Sequence, residues 1–396
     1  MHPEHSTRIF EVETVSESSA EPFTSLKRGV NEKLPEVEMR AQSSLPQVWH
    51  CEPEPLPQTR RMKPFRCVGI FLALFPVFLT ASAGELLTYK GKSGPGRGQH
   101  IVFLAGDEEY RSEEALPMMA KILAVRHGFR CTVLFSINPK DGAIDPNTRD
   151  NTPGIKALDG ADLCFMSLRF RELPDAQMKH FVDFLNRGKP IVALRTSTHA
   201  FSYEKNKQSD YVRFHWQAGE WPGGFGQQVL GETWVNHHGD HGKQSTRGVI
   251  NDTFKSHPIL RGVKDVWGPT DVYGVAHLPP DAQVLMWGQV LTGMKPTDPA
   301  LAGKKNEPMM PLVWLREYTG EGGKTSRIVT TTMGAAVDLE SEGLRRLLVN
   351  ACYWAVGLEK KIPAKANVNY VGEYQPTWFG FGTHKRGMRP EDFALR

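Results

Sequence analysis

The sequence predicts an α/β fold, a three-layer sandwich in which helices cover both faces of a mostly parallel β-sheet. Continuous apolar runs of strand length predict four buried strands, at residues 100–105, 131–137, 161–168 and 190–194. Amphipathic helical patterns lie between them, from Ser112 to Gly128 and over residues 174–186. Alternation of buried strands with such helices is typical of a parallel sheet that is covered on both faces.

The composition is that of an ordinary globular protein. Of its 396 residues, 40% are hydrophobic and 23% are charged, which is enough for one large domain or two ordinary ones. The net charge of +4 is small and dispersed, and no zinc-finger spacing or basic aromatic motif accompanies it. Nucleic acid is therefore not a predicted partner.

The N-terminal part of the chain differs from the rest. Residues 1–61 are rich in Glu, Pro and Ser, which predicts an extension that is either disordered or mis-assigned upstream of a true start at Met62. Residues 62–83 combine a basic start, a short apolar core and a small-residue cleavage site, as in a secretory signal peptide. We therefore expect an exported protein, periplasmic or extracellular, without a stable membrane anchor after cleavage. The alternative is a genuine tail before a membrane-anchoring helix.

The remaining elements are predicted in chain order. Residues 84–99 form a Gly/Lys/Ser/Pro linker, and residues 201–226 form a long loop rich in aromatic side chains. A last amphipathic helix is expected at residues 340–356, and further strands are expected at residues 246–250, 284–287, 312–315 and 327–331. The tail, residues 359–396, either straps across the surface or is partly disordered.

Polar side chains gather where the buried strands end. The residues that follow the first, third and fourth strands are, in that order, Asp107, Glu108, Glu109 and Tyr110; Arg169 and Arg171; and residues 195–199. Ligands of α/β folds bind outside the carboxyl ends of the strands. We therefore expect these side chains to line one hollow.

The densest group of metal-binding and acid/base residues lies at residues 234–242. Within five positions it contains His237, His238, Asp240 and His241. Two glycines in the same stretch predict a loop and not a helix interior. Histidine titrates near neutral pH and is the commonest metal ligand, so we predict a loop that carries imidazoles towards a cleft. The alternative is a polar surface loop whose histidines are solvated.

Several segments together match the pattern of one protein family. They are Gly106-Asp107-Glu108-Glu109-Tyr110, the His199 elbow, residues 237–242, His257-Pro258-Ile259-Leu260-Arg261-Gly262, Thr270-Asp271-Val272-Tyr273, Thr331-Thr332-Met333-Gly334-Ala335 and Leu344-Arg345-Arg346-Leu347-Leu348-Val349-Asn350. With them, residues 100–358 resemble a domain of the ThuA-like (trehalose-utilisation) family, in an exported bacterial form. The resemblance implies a flavodoxin-like, class I glutamine amidotransferase-like sandwich and a small carbohydrate substrate. A fold by itself does not fix the reaction.

One departure bears on the chemistry. A glutamine amidotransferase needs a cysteine nucleophile at the strand-to-helix elbow. Here that elbow is Arg195-Thr196-Ser197-Thr198-His199, and Cys164 lies inside a strand. We therefore predict no glutaminase activity. Ser197 lacks the Gly-x-Ser-x-Gly surroundings of a serine hydrolase nucleophile.

Two hypotheses about function follow. In the first, the protein is an enzyme, a metal-dependent sugar isomerase or hydrolase, whose best candidate reaction is isomerisation or enolisation of a keto-sugar. Such a reaction needs a base for the carbon-bound proton and an electrophile for the developing oxyanion. A divalent ion (zinc, or manganese or iron) would be the electrophile. In the second hypothesis, the aromatic loop 201–226 belongs to a non-catalytic carbohydrate-binding module.

The predicted site residues form three groups. The predicted catalytic residues are Glu108, His199, His238 and Asp240. The predicted substrate-binding residues are Asp107, Tyr110, Arg195, Trp216, Asp271 and Tyr273. The predicted metal ligands are His237 and His241, and Asp271 is alternatively the outer partner of a ligating histidine. The sequence does not predict the oligomeric state.

Overall fold

The computed structural model describes residues 86–395. The predictions for residues 1–61 and for the signal peptide at 62–83 therefore lie outside the described residues. Within the described range, no helix has both the length and the apolar character needed to span a membrane.

The described chain forms one sheet of ten strands with three α-helices. The helices are α1 (Ser112–His127), α2 (Asp175–Asn186) and α3 (Glu342–Ala355). The strands are β1 (Thr88–Lys90), β2 (His100–Gly106), β3 (Arg130–Phe135), β4 (Leu163–Leu168), β5 (Ile191–Leu194), β6 (Thr246–Ile250), β7 (Trp267–Gly268), β8 (Gln283–Val290), β9 (Met310–Thr319) and β10 (Thr325–Thr331). Their order across the sheet is β1-β3-β2-β4-β5-β10-β9-β8-β6-β7.

The sheet is mixed, so the prediction of a mostly parallel sheet is wrong. Strands β3, β2, β4, β5 and β10 are parallel neighbours. The pairs β1–β3, β10–β9, β9–β8, β8–β6 and β6–β7 are antiparallel. Parallel neighbours need a long crossover, usually a helix. Between β5 and β10 the described chain contains strands β6 to β9 but only short helical turns. Without crossover helices, these four strands pair antiparallel with their neighbours.

Helices cover both faces of the sheet. Alternate residues of β2 enter two different apolar cores, because successive strand side chains point to opposite faces. Ile101 and Phe103 pack in the core that contains α1 and α3, whereas Val102 and Leu104 pack in the core that contains α2. The buried strands and the three helices predicted from apolar periodicity are therefore present.

The segments on either side of the predicted domain belong to the fold. Strand β1 lies inside the predicted linker 84–99 and pairs with β3, and Tyr89 is buried there, so that linker assignment is wrong for these residues. The predicted tail straps across the domain, and Ile362, Ala366 and Val368 join the core beneath α3.

Two arginines of α3 hold this strap. The buried Arg345 guanidinium donates to the carbonyl oxygens of Leu339, Glu340 and Val368 and to the Tyr370 hydroxyl. Arg346 donates from Nε to the Ala366 carbonyl at 3.1 Å. The backbone of the strap thus finds donors inside the domain, as buried carbonyl groups require.

We expect Arg345→Met to lower the free energy of unfolding by about 2–3 kcal/mol, because several carbonyl groups would lose a charged donor. Urea denaturation of the full chain measures this change. Lys179→Met is the control, since Lys179 forms only an exposed ion pair with Asp183 and its loss should not move the midpoint. Equal midpoints for both variants would contradict this account of the strap.

Candidate functional site

The candidate site lies at the carboxyl edge of the parallel strands. Strand β2 has β3 on one side and β4 on the other, which makes this edge a topological switch point. The turn after β2 is fixed by Asp107, whose Oδ1 accepts the backbone N–H groups of Glu109 at 2.7 Å and Tyr110 at 2.8 Å. Its Oδ2 accepts from the Thr196 hydroxyl. Asp107 is fully buried and shapes the turn. Its role in substrate binding stays a prediction.

Glu108 is held away from the histidines by arginines. Its Oε2 accepts from Arg171 at 3.0 Å, and its Oε1 accepts from Arg169. A third guanidinium, of Arg149, lies 3.6 Å from Oε1. Both carboxylate oxygens are bound by guanidinium groups, which favours a structural role for Glu108. Its catalytic role stays a prediction.

A buried ion pair forms the centre of the site. Arg195 donates from Nη2 to Asp271 Oδ1 at 3.0 Å and from Nη1 to the backbone oxygens of Asp271 and Thr332, both at 2.8 Å. Its guanidinium lies between the rings of Tyr110 and Tyr273, 4.2 Å from each centroid.

The geometry therefore favours a positioning role for Arg195 and Tyr110, and their role in substrate binding stays a prediction. The Tyr110 hydroxyl accepts from Arg195 at 3.1 Å, and both side chains are buried. Arg195 has a backbone φ of +39°, which is uncommon outside glycine and is found most often at functional sites.

Two histidines share the carboxylate of Asp271. His237 Nδ1 donates to Oδ2 at 2.7 Å, and His241 Nδ1 donates to Oδ1 at 2.9 Å. The two rings lie 4.6 Å apart, and their side chains are 34% and 35% exposed. An Nδ1–H donated to a carboxylate fixes the tautomer and leaves the Nε2 lone pair free.

The electrostatics keep Asp271 ionised. Burial alone would raise the pKa of this carboxyl, but Arg195 and the hydrogen bonds from His237 and His241 hold it well below its usual range. One potential ligand atom from each of His237, His241 and Asp271 lies within 4.8 Å of the others. Imidazoles oriented by a carboxylate are typical ligands of zinc and related divalent ions.

His238 and Asp240 lie outside this group, and their catalytic roles stay predictions. His238 Nε2 donates to the backbone oxygen of Lys305 at 2.8 Å, and the exposed Asp240 pairs with Lys305 Nζ at 2.7 Å. Both contacts tie the histidine loop to the segment around Lys305. The sequence alone does not show which of these neighbouring loop residues face the site, because the backbone turn decides the direction of each side chain.

Glu109 is the site residue that the sequence analysis did not select. Its Oε1 lies 3.5 Å from His241 Nε2, and its Oε2 lies 3.9 Å from Arg169 Nε. Burial and the neighbouring Asp107 raise its pKa, an effect that Arg169, Arg195 and His241 partly offset. A buried carboxyl with a raised pKa beside a histidine is typical of acid/base sites. Its place after β2 was the available signal, but that signal did not separate it from Glu108.

His199 and His237 lie beside the same two aromatic rings. Both imidazoles contact the rings of Trp234 and Tyr273, at centroid distances between 5.6 and 6.3 Å. Burial, with Arg169, Arg195 and His237 nearby, lowers the pKa of His199 well below its ordinary value. His199 is therefore a neutral group, able to donate and accept hydrogen bonds but not to supply a stable positive charge.

Aromatic rings surround these polar groups. Trp216 contacts Phe170 at 5.6 Å and Trp234 at 6.1 Å, so the structure brings it to the site. The other rings of the 201–226 loop mostly pack the loop onto the domain, since Phe201, Tyr203, Phe214 and Phe225 are buried in the core. From the strap, Phe379 contacts His241 at 5.4 Å.

Comparison with known proteins places the chain in a family. A family model described as ThuA, trehalose utilisation, matches residues 147–355. The chain is similar to the crystal structure of a ThuA-like protein from Parabacteroides merdae ATCC 43184, with 14% identity and a TM-score of 0.43 over 75% of this chain and 99% of that one. It is also similar to a ThuA-like protein from Bacteroides uniformis ATCC 8492, with 15% identity and a TM-score of 0.39 over 67% and 93% of the two chains.

A further similarity is to the glutaminase domain of CTPS from Trypanosoma brucei, with 12% identity and a TM-score of 0.31 over 69% of this chain and 100% of that one. No curated protein matches the chain. Because the ThuA model matches more than half of the sequence, this protein belongs to the ThuA family.

Proposed function

We propose that this protein is a carbohydrate-acting enzyme that moves a proton next to the carbonyl of an oxidised sugar, in an isomerisation or enolisation. The observation that carries the proposal is the pair His237 and His241, which share one buried carboxylate, with Glu109 beside His241 Nε2. The description of the family, trehalose utilisation, supports the substrate class. Export through residues 62–83 is part of the proposal and rests on the sequence pattern alone.

Glu109 is the base in this proposal. Removal of a proton from carbon requires a base whose pKa is near the working pH. Burial of Glu109 favours its neutral form and therefore raises its pKa towards the working pH. The positive charge of Arg169, 3.9 Å away, limits this rise in pKa and so favours the ionised carboxylate that acts as the base.

A divalent ion fits the two histidines. His237 and His241 would hold it through their Nε2 atoms, while Asp271 would remain the outer partner that orients both rings and increases their basicity. One-third exposure of both side chains leaves a route from solvent. A bound ion supplies Lewis-acid stabilisation of the oxyanion that develops on the substrate carbonyl.

The remaining groups bind and orient the sugar. The neutral His199 can hydrogen-bond a sugar hydroxyl, and Trp216 and Trp234 offer partly exposed ring surface beside it. The alternative, a binding module built on loop 201–226 alone, has less support because most of that loop's rings are in the core. Such a module would also leave the hydrogen bonds of His237 and His241 to Asp271 without a function.

Metal content tests the proposed ligands. We expect the full chain, loaded with Zn²⁺ and desalted, to retain about one ion, and His237→Ala and His241→Ala to lose it. Asp271→Asn should weaken affinity by roughly 10–100-fold, because both rings lose their outer partner. His238→Ala is the matched control from the same loop and should retain the ion, since His238 contacts the Lys305 carbonyl. Equal zinc content in all four variants, measured by elemental analysis, would contradict the site.

Proton exchange tests the reaction. The protein should incorporate solvent deuterium next to the carbonyl of a keto derivative of trehalose, and NMR in D₂O measures this. Glu109→Gln should slow the exchange by roughly 10²–10⁴-fold, the usual contribution of a general base. Glu108→Gln tests the neighbouring carboxylate and should slow exchange less. Absence of exchange in the metal-loaded wild-type protein would overturn the proposed reaction.

The pH dependence tests the assignment of the base. The ionised carboxylate of Glu109 is the active form, so exchange should fall as the pH drops through its pKa. Because burial raises that pKa, the acid limb should lie above the range of an ordinary glutamate. Arg169→Met removes a charge that lowers this pKa, so it should move the limb to higher pH. Arg213→Met, which removes a distant exposed ion pair with Glu321, should leave the limb in place.

A further inference from the structure

The strap carries an aromatic segment, residues 377–381, that is fixed against the turn after β2. Gly380 N–H donates to the Glu109 carbonyl at 2.8 Å, and Arg111 Nη2 donates to the Gly380 carbonyl at 2.9 Å. Thr377 donates to the Glu114 carboxylate through both its N–H, at 2.7 Å, and its hydroxyl, at 2.8 Å. The segment is thus attached at both ends to the element that carries Glu109.

The rings of this segment have different environments. Phe379 is buried against Tyr110 and His241. Trp378 and Phe381 are 53% and 60% exposed, and among the described residues no other Phe, Trp or Tyr is classed as exposed. Gly380 separates the inward Phe379 from the outward Phe381, and its φ of +146° lies in a region that other residues rarely adopt.

The two exposed rings are linked to two different neighbours of Glu109, His241 and Arg169. Trp378 stacks on Phe379 at 4.9 Å, and Phe379 lies 5.4 Å from His241. On the other side, the Arg169 guanidinium lies between the rings of Phe170, at 4.5 Å, and Phe381, at 5.0 Å. Glu109 reaches both His241 and Arg169. Phe381 therefore contacts one neighbour of the proposed base directly, and Trp378 reaches the other through Phe379.

We infer that residues 377–381 form part of the carbohydrate-binding site, with the ring faces of Trp378 and Phe381 contacting the apolar C–H faces of a sugar. Aromatic ring faces carry partial negative charge, which suits the weakly positive C–H bonds of a sugar ring. Exposed apolar surface next to a polar site typically marks a binding region. The backbone bonds of the segment reduce the ordering cost of such a contact. This inference rests on the proposed function only for the class of ligand.

The occupant is a sugar and not a protein partner because polar side chains that suit hydroxyls adjoin the exposed rings. Arg169 contacts the Phe381 ring, and His241 contacts Phe379, the ring on which Trp378 stacks. A continuous apolar patch would suit a protein partner better. Alternation of ring faces with charged donors and acceptors suits a ligand with C–H faces and hydroxyl edges.

Trehalose binding to the full chain, measured by isothermal titration calorimetry, tests the inference. Trp378→Ala and Phe381→Ala should each weaken binding by roughly tenfold or more, the effect of losing burial of one large ring. Trp378→Phe should recover most of the affinity, because a ring face is restored. Val125→Ala and Leu395→Ala remove exposed apolar side chains elsewhere and are the controls, which should bind as the wild type does.

The outcomes separate this inference from the proposed reaction. Weakened binding by the two ring variants supports the inference even if no deuterium exchange is found. Wild-type affinity in both ring variants, with folded protein by circular dichroism, overturns the inference even if exchange occurs. Failure of the wild-type chain to bind either trehalose or its keto derivative would overturn the sugar-binding segment and the proposed substrate class together.

Discussion

The site depends on the buried ion pair between Arg195 and Asp271. A charge buried without a partner is strongly destabilising, so the two side chains must form together. Arg195 joins the end of β5 to residues 271 and 332 through its hydrogen bonds, and it holds Tyr110 and Tyr273 on its two faces. The same carboxylate then orders His237 and His241. One pair of charges thus fixes both the packing at the strand edge and the orientation of the reactive groups.

The antiparallel half of the sheet brings the histidines to that edge. Strands β6 and β7 pair antiparallel, with Thr246 opposite Gly268. Residues that precede β6 therefore lie opposite residues that follow β7, which places the histidine loop next to the segment of Asp271. A bridge between His237 and Tyr273 continues this pairing. Asp338 fixes the start of the segment by accepting from the backbone and hydroxyl of Thr270.

The sequence predicted the local elements better than their assembly. Apolar runs and helical periodicity located β2 to β5 and the three helices, because burial imposes those periods directly. The mixed sheet was missed because pairing direction depends on connections that leave no periodic signal. In the site, the histidine loop was predicted from its chemistry and Asp271 from a segment that resembles the family, and the structure brings His237, His241 and Asp271 together. The sequence could not show which of Glu108 and Glu109 lies beside the histidines, because the answer depends on contacts with residues distant in the chain. Glu108 pairs with Arg171, and Glu109 lies beside His241.

The site combines residues inside the family match with segments outside it. Glu109 precedes the matched residues 147–355, and the strap with Phe379 follows them. His241 lies within the match and contacts both, so the geometry of its ring depends on segments at the two ends of the domain. Because such long-range contacts form only when the whole sheet has formed, the acid/base pair and its aromatic surroundings are properties of the complete domain. Variation in the strap among related chains would then change what the site binds without altering the Arg195–Asp271 centre.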